Sequence, residues 1–313
     1  MPIRSVSLLA SSLLLLSACF PSQTAPPAVP SQPEPLPMAT VRTADGRIAV
    51  HALRVGWVGV KGAHREFDAP AFVAIPAIFL GRSWTPWMPI VVYAIEHPEG
   101  LILVDTGADS AFAQKPYWAC DKRTGLFYRK NLRFDVPAGD DLDARLAAVG
   151  LRADQVKQVV ITHFHADHTA GLHRFLDRPV LTGAGNWPKH RGSFTCRWPT
   201  NFAPDTVAAT PFSTALTGGR ALTTDGRVRV ISVPGHTPGH VGVVIEDGDK
   251  RILLAGDATF DLAQSARGGV TGVATNRSAA RATQRTLTAL DTTGTLVLPA
   301  HDTTVFSRMR RYR

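Results

Sequence analysis

The 313-residue sequence predicts an α+β domain in which helices cover β-sheets. Three observations support this class. Short β-rich runs, a mixed stretch, more β-rich runs and a final helix and strand follow one another along the chain. No segment repeats at the period of a solenoid. Hydrophobic residues make up 44% and charged residues 19%, which is typical of a globular protein and excludes wholesale disorder or a coiled coil.

The first β-rich group contains three runs of apolar and β-branched residues. These runs predict strands at residues 48–60, 90–96 and 101–105. The turn-forming residues 97–100 separate the last two, so we expect those strands to form a hairpin.

The remaining elements are predicted from the same periodicities and from turn and cap residues. Gly150 is typical of a helix C-cap, and Asp247-Gly248-Asp249 is typical of a hairpin turn. The elements are a helix at 141–149, a strand at 158–162, a short helix at 168–176, strands at 228–233, 241–246 and 251–255, a helix at 278–290 with Ser278 as N-cap, and a strand at 295–298.

The N-terminus has the features of an export signal. Arg4 precedes an apolar run at residues 8–16 that is too short to span a bilayer. Leu16-Ser17-Ala18-Cys19 resembles the lipobox of bacterial lipoproteins, which implies a signal peptide at 1–18 and lipidation of Cys19. The alternative is an ordinary signal peptide with a chance cysteine. Because Phe20 rather than Asp follows Cys19, we expect an outer-membrane lipoprotein that faces the periplasm.

Residues 19–40 are rich in proline and predict an extended tether between the lipid and the domain, which would occupy residues 41–313. The net charge is +9, with a basic cluster at the C-terminus. We interpret that cluster as a solvated surface rather than a nucleic-acid site, and we expect no nucleic-acid partner. In an exported protein Cys120 and Cys196 can form a disulfide, although two separate thiols are the alternative.

The sequence His163-Phe164-His165-Ala166-Asp167-His168 follows an apolar strand and predicts a metal site. Alternate residues of an extended segment face the same side, so His163 and His165 can face one ion. After the turn, Asp167 and His168 can face a second. Imidazole and carboxylate ligands suit zinc, the expected metal, and also manganese, iron or cobalt.

Three further candidates each occur where a predicted strand ends. His236 follows the strand at 228–233, Asp257 follows the strand at 251–255 and His301 follows the strand at 295–298. A strand end is a position at which a rigid scaffold can hold a ligand still.

The histidine–aspartate motif, followed by single His, Asp and His residues, resembles the signature of the metallo-β-lactamase superfamily. The resemblance extends from about residue 90 to residue 301. It implies an αββα sandwich, two mixed β-sheets flanked by helices, with a dinuclear site at the sheet edges. It implies one ion held by His163, His165 and His236, a second held by Asp167, His168 and His301, and Asp257 as the bridge.

The resemblance also implies supporting and catalytic roles. Asp105 would orient a ligand, and His240 would support the site without binding metal. A strand-end cap is the alternative role for Asp105. The expected chemistry is hydrolysis of a small-molecule substrate by a metal-bridging hydroxide, with Asp167 as a proton shuttle and Asp257 as the bridge.

Within the superfamily, residues 89–107 and 234–240 and the pair His301-Asp302 are similar to N-acyl-homoserine lactonases. Those enzymes carry a tyrosine three residues after the bridging aspartate, and its hydroxyl contacts the lactone. This sequence has Phe260 at that position, and phenylalanine has no hydrogen-bond donor. Either another hydrogen-bond donor replaces the tyrosine hydroxyl, or the protein acts on a different substrate from that of the lactonases.

Aromatic residues before the first hairpin offer a second clue to the substrate. Trp84 and Trp87, with Phe260, could form an apolar pocket for an acyl chain, or they could pack the N-terminal segment onto the sandwich. The apolar residues that lie with these tryptophans in the sequence are Ile75, Ile78, Phe79, Leu80 and Met88. β-Lactam, thioester or phosphotriester hydrolysis on the same scaffold is an alternative activity. A non-hydrolytic iron-binding redox protein is an alternative of another class. The sequence leaves the oligomeric state open.

Overall fold

The computed structural model describes residues 38–188 and 190–312. The predicted signal peptide, Cys19 and most of the predicted tether lie outside the described residues. The first strand begins at Met38, so it includes the last three residues assigned to the tether. Within the described residues, no helix is long and apolar enough to cross a membrane.

The first sheet is mixed, and its hydrogen-bonded order is β1-β2-β3-β4-β6-β7-β8, with β5 paired to β2. Neighbours from β1 to β4 run antiparallel, whereas β4, β6, β7 and β8 run parallel. Its strands are β1 (Met38–Arg42), β2 (Ala49–Val60), β3 (Met88–His97), β4 (Gly100–Val104), β5 (Leu132–Asp135), β6 (Val156–Val160), β7 (Val180–Gly183) and β8 (Asp205–Val207).

The second sheet is also mixed and has the order β13-β12-β11-β10-β9. Strands β12 and β13 are parallel and the other pairs are antiparallel. Its strands are β9 (Arg220–Ala221), β10 (Val228–Ser232), β11 (Val241–Asp247), β12 (Lys250–Gly256) and β13 (Leu296–Pro299).

In the described residues, helices lie between the strands and after the last one. Both predicted hairpins are confirmed by the pairing of Glu96 with Leu101 and of Asp247 with Lys250. The helices are α1 (Gly62–Arg65), α2 (Ala71–Leu80), α3 (Lys122–Asn131), α4 (Leu142–Ala148), α5 (Ala166–Thr169), α6 (Leu262–Ala266), α7 (Arg277–Thr292) and α8 (Val305–Arg311).

The core is divided among three layers because apolar side chains point to both faces of the sheets. Val91 of β3 and Val243 of β11 belong to the layer between the two sheets. The next residue along β3, Val92, lies in the layer on the outer face of the first sheet. Val244 of β11 instead packs with Leu287 of α7. This alternation follows the two-residue period of a strand and confirms the expected αββα sandwich.

One predicted cap is wrong. The helix α7 begins at Arg277, and the side chain of Asn276 accepts a hydrogen bond from the Ala279 amide. Asn276 therefore fills the N-cap position that we predicted for Ser278. Both residue types are good N-caps, so their order along the chain does not decide between them.

Candidate metal centre and cavity

Polar side chains gather where strands of both sheets end. Asp105 directly follows β4, and His163 lies in the loop after β6. From the second sheet, His236 follows β10, Asp257 directly follows β12 and His301 follows β13. The sandwich thus brings residues more than a hundred positions apart in sequence to one edge.

The first group contains three imidazoles whose ring nitrogens converge. His163 Nε2 lies 2.9 Å from His165 Nδ1, and His236 Nε2 lies 3.1 Å from the same atom. Asp257 Oδ2 closes the group at 3.6 Å from His236 Nε2 and 3.9 Å from His163 Nε2.

The second group lies on the other side of the Asp257 carboxylate. Asp257 Oδ1 is 3.2 Å from both His168 Nε2 and His301 Nε2. His301 Nε2 is also 3.5 Å from Asp167 Oδ2. Each oxygen of Asp257 therefore faces a different group, which is the geometry of a bridging ligand.

The turn that carries Asp257 is fixed by its neighbours. Gly256 has φ +53°, and a Cβ atom there would stand only 3.0 Å from the His240 ring. The backbone amide of Asp257 donates a hydrogen bond to His240 Nε2 at 3.1 Å. His240 therefore helps to fix the backbone position of Asp257.

Hydrogen bonds on the far side of the rings set which nitrogen faces the cluster. His168 Nδ1 donates to Asp105 Oδ2 at 2.8 Å, and His301 Nδ1 donates to the Pro89 carbonyl at 2.8 Å. Asp105 also accepts a hydrogen bond from the Thr162 amide at 2.7 Å. The Nε2 atoms of both histidines therefore face the cluster, where they could bind a metal ion.

The charges of the two groups differ. Burial, reinforced by the neighbouring imidazoles, holds the pKa values of His163 and His165 well below the ordinary histidine value. Burial opposes a charged His168, but Asp257 and Asp105 outweigh it and raise the pKa of His168 well above its ordinary value. Burial is also the main cause of the raised pKa of Asp167.

The residues present fit a pair of divalent cations. His168 Nε2 and Asp257 Oδ1 are buried without a hydrogen-bond partner among the described residues, although buried polar atoms are normally satisfied. In the first group, His165 Nε2 lies 3.3 Å from the Arg191 carbonyl, so its Nδ1 lone pair points at His163 and His236. Ring nitrogens and carboxylate oxygens that converge in this way can hold a divalent cation. The two sets of possible ligands are His163, His165, His236 and Asp257, and Asp167, His168 and His301.

A cavity of about 320 Å³ opens beside the metal centre. Its lining residues include four of the candidate metal ligands and Phe260, namely His165, Asp167, Asp257, His301 and Phe260. Its walls are mostly apolar, as expected of a site that binds an apolar group. The wall residues include Val58, Val60, Ile75, Met88, Phe127, Leu132 and Val273.

Trp84 and Trp87, which we predicted as pocket residues, do not line this cavity, so their role in a substrate pocket stays a prediction. The cationic groups of Lys61 and Arg133 stack on the ring of Trp84, at 4.4 and 4.3 Å from its centroid. Trp87 borders a separate depression, which shares Met88 and His301 with the cavity. An aromatic residue next to a strand does not reveal which face of the sheet its ring reaches.

Sequence reasoning missed the polar residues of the cavity wall, above all His64 and Tyr128. The Tyr128 hydroxyl donates to the Gly192 carbonyl at 3.1 Å and accepts from the Ala166 amide at 3.2 Å. Both residues are distant in sequence from the histidine motif, so the only available signal was their residue type.

A disulfide joins Cys120 to Cys196 across 76 residues of sequence. Cys120 lies two residues before α3, whose Phe127 and Tyr128 line the cavity. Cys196 lies in the loop that contains Gly192, another cavity residue. The bond therefore ties together two parts of the cavity wall.

Comparison with known proteins identifies a family and several relatives. Residues 85–301 match the family model of the metallo-beta-lactamase superfamily, which is more than half of the chain. The probable metallo-hydrolase Rv2300c of Mycobacterium tuberculosis is 29% identical over 184 residues, or 54% of this chain and 56% of the relative. The chain thus spans about half the length of that relative.

Two further proteins are similar over a larger share of their length. The N-acyl homoserine lactonase AttM of Azorhizobium caulinodans is 26% identical over 231 residues, which cover 69% of this chain and 82% of AttM. The solved structure of AidC, a dizinc quorum-quenching lactonase in complex with a product, has a TM-score of 0.55 and 16% identity. That similarity covers 85% of this chain and 90% of AidC, and it establishes a shared fold.

Proposed function

The chain belongs to the metallo-β-lactamase superfamily, and on that premise we propose that it is a dinuclear metal-dependent hydrolase of lactones or esters with an apolar acyl group. One observation carries this proposal: the two converging ligand groups share Asp257 and open directly onto a cavity with apolar walls. The names of AttM and AidC support the lactone as the substrate class.

The reaction adds water across the acyl carbon–oxygen bond and yields a carboxylic acid and an alcohol. Two divalent cations, which we propose to be zinc, would lower the pKa of a water molecule and polarise the substrate carbonyl. Asp257 would bind both cations and keep them next to each other. Asp167 lines the cavity, so its carboxyl group can return a proton to the leaving alcohol oxygen.

The apolar wall would select the acyl group. Ile75, Met88 and Phe127 lie on the same cavity as the metal ligands, so a chain bound against them extends away from the reacting carbon. Burial of this chain would orient the carbonyl relative to Asp167 and Asp257.

We also propose that the protein is exported and anchored to the cell envelope through a lipid on Cys19. The support is the lipobox-like sequence of residues 16–19 and the proline-rich segment that follows it. The test is the Cys19→Ser variant, which we expect to leave the membrane fraction. Continued fractionation with membranes would contradict lipidation at this residue.

The activity is tested by measuring bound metal and turnover on the same purified full-length protein. Plasma mass spectrometry would give the metal content, and the substrates would be acyl-homoserine lactones, a chromogenic cephalosporin, a thioester and a phosphotriester. We expect two metal equivalents and lactone or ester turnover. Two equivalents with turnover of another substrate class only would contradict the lactone proposal, and less than one equivalent would contradict the dinuclear site.

A further inference from the structure

His64 is a buried imidazole in the cavity wall that lies outside both metal groups. It is 6% exposed, and its Nδ1 has no hydrogen-bond partner among the described residues. Its ring stands 5.8 Å from the Phe127 ring and 6.2 Å from the Phe260 ring, measured between centroids. An uncommitted polar atom of this kind requires an explanation, because burial without a partner is costly.

The position of His64 is coupled to that of Phe260 through Gln264. The side chain of Gln264 accepts a hydrogen bond from the Phe260 amide at 2.8 Å and donates one to the Arg65 carbonyl at 2.7 Å. The His64 carbonyl accepts hydrogen bonds from Gly272 N and Thr271 Oγ1. The short helix α1 is therefore fixed against the segment that follows Asp257.

Outside the metal groups, the donors among the cavity's described lining residues divide into exposed or half-buried side chains, which are Arg123, Thr124 and Arg191, and buried ones. Outside the metal groups, the buried polar side chains among its described lining residues are His64 and Tyr128. The Tyr128 hydroxyl already donates to a backbone carbonyl. Burial lowers the pKa of His64 to about 4, so near neutral pH its ring is uncharged and has one N–H to donate.

We propose that His64 donates a hydrogen bond to an oxygen of the substrate acyl or lactone group, which the phenyl ring of Phe260 cannot do. This inference rests on the proposed hydrolysis of lactones or esters. The donor would stabilise charge that develops on that oxygen as the carbonyl is attacked.

The central variant is His64→Phe, which keeps an aromatic ring against Phe127 and Phe260 but removes the donor. We expect kcat to fall by about 100-fold or more while KM and the two metal equivalents are retained. In the His64→Phe/Phe260→Tyr double variant, the new hydroxyl should restore at least part of kcat. In the wild-type background, Phe260→Tyr should have a much smaller effect, because the donor is already present.

Two results would overturn the inference. The first is a His64→Phe enzyme with unchanged kcat. The second is a fall in kcat that accompanies loss of metal and that Phe260→Tyr does not rescue, because this result would show a structural role. Both results presuppose a wild-type protein that hydrolyses a lactone or ester, and a wild-type protein without that activity contradicts the proposed function instead.

A second inference concerns the outer surface of α2. The residues of this helix that face solvent are all apolar and follow the i, i+1, i+4, i+7, i+8 spacing of one helix face. Phe72 and Leu80 are each 81% exposed. The face consists of Phe72, Val73, Pro76, Phe79 and Leu80.

The neighbouring helix α3 presents a cationic face with the same spacing. Phe79 of α2 contacts Phe127 of α3, with ring centroids 5.6 Å apart, so the two helices are adjacent. Both also line the cavity, through Ile75 and Phe127. The exposed residues of α3 are Lys122, Arg123, Leu126, Arg129 and Lys130.

We infer that this α2–α3 face docks on an anionic membrane surface. Apolar side chains would enter the interface while the adjacent cations contact lipid phosphates. A two-fold contact between copies would use the same patch twice and bring like-charged α3 helices near each other, which disfavours a second copy as the occupant. The docked protein would hold its cavity mouth beside the phase in which long acyl chains partition.

A fluorescent label on the face tests this inference locally. In the full-length Cys19→Ser chain, Leu80→Cys carries an environment-sensitive dye, and Thr292→Cys at the exposed end of α7 is the matched control. Vesicles of phosphatidylglycerol and phosphatidylcholine should shift the emission of the dye at position 80 to shorter wavelength but not that at position 292. Vesicles of pure phosphatidylcholine should have a smaller effect.

A charge-reversal variant separates the contribution of the α3 cations from that of the apolar α2 side chains. Lys122→Glu/Arg129→Glu/Lys130→Glu should abolish the preference for anionic vesicles without changing turnover of a short soluble substrate. Equal shifts at positions 80 and 292, or no shift at position 80, would overturn the docking surface. A shift at position 80 that depends on protein concentration and not on vesicles would identify a second copy as the occupant and would also overturn it.

Discussion

The metal centre and the cavity wall are built in different ways, although they share one cavity. The metal ligands lie at the ends of strands from both sheets, and hydrogen bonds behind the rings orient His168 and His301. The wall combines residues of strands β2, β3 and β5 with residues of α1, α2 and α3, the helices that connect strands. Ring contacts and a disulfide hold these connecting segments. The strand ends thus position the candidate metal ligands, whereas strands and connecting segments together enclose the cavity in which we propose that the acyl group binds.

The largest effect is expected from removal of the Asp257 carboxylate, which we propose to be the bridge between the two metal ions. We expect Asp257→Asn to lower metal content and activity by more than the roughly 10–100-fold typical of an outer-shell change, because an amide cannot offer two anionic oxygens. Metal analysis and kcat/KM on the same sample would show this. Asp247→Asn, at a buried carboxylate that bonds Ala44 N and Tyr312, is the matched control. Equal metal content in the two variants would contradict the bridge.

Sequence alone predicts the metal centre well, for a physical reason. Chelation demands particular residue types, and His163, His165, Asp167 and His168 lie within six residues, so their proximity needs no knowledge of the fold. His236, Asp257 and His301 required only the rule that strand ends hold ligands. The structure brings all seven together.

Removal of the disulfide should lower the stability of the fold without changing metal binding. Closing a loop of 76 residues contributes about 4 kcal/mol to the free energy of unfolding in the chain-entropy account. We therefore expect Cys120→Ser/Cys196→Ser to lower the urea midpoint substantially while the metal content of the folded protein is unchanged. Loss of metal with an unchanged midpoint would reverse the roles that we assign to the two regions.

The wall could not be predicted from the sequence to the same extent. Apolar residues pack against whichever surface adjoins them, and no spacing rule distinguishes a cavity wall from a core. The sequence pattern places Ile75, Met88 and Trp84 in one apolar segment, but only the first two line the cavity, whereas Trp84 stacks under two cationic side chains. Phe127 lines the cavity from a segment that the pattern did not single out. The short helices α1 and α5 also fall below the length at which periodicity is informative.

A substitution at Asp105 tests whether the hydrogen bond that orients His168 contributes to metal affinity. In Asp105→Asn, an amide N–H would face His168 Nδ1–H, or the amide would turn and lose its bond to Thr162. We expect a fall of about 10–100-fold in affinity for the more weakly bound metal equivalent, measured by competition with a chelator. Unchanged affinity would favour the role of a strand-end cap for Asp105.

The smallest effect is expected from Ile75→Ala, at a residue that lines the cavity. The comparison is Trp84→Phe, at a tryptophan that the sequence pattern predicts in the pocket. Ile75→Ala removes side-chain carbons from the cavity wall, and each methylene of the acyl chain that is no longer buried weakens binding by about 0.8 kcal/mol, or roughly a fourfold rise in KM. The rise should appear for long acyl chains and not for short ones, because only a long chain reaches that wall. Trp84→Phe should leave both KM values unchanged. A chain-length effect from Trp84→Phe, with none from Ile75→Ala, would mean that the acyl group lies elsewhere than in this cavity.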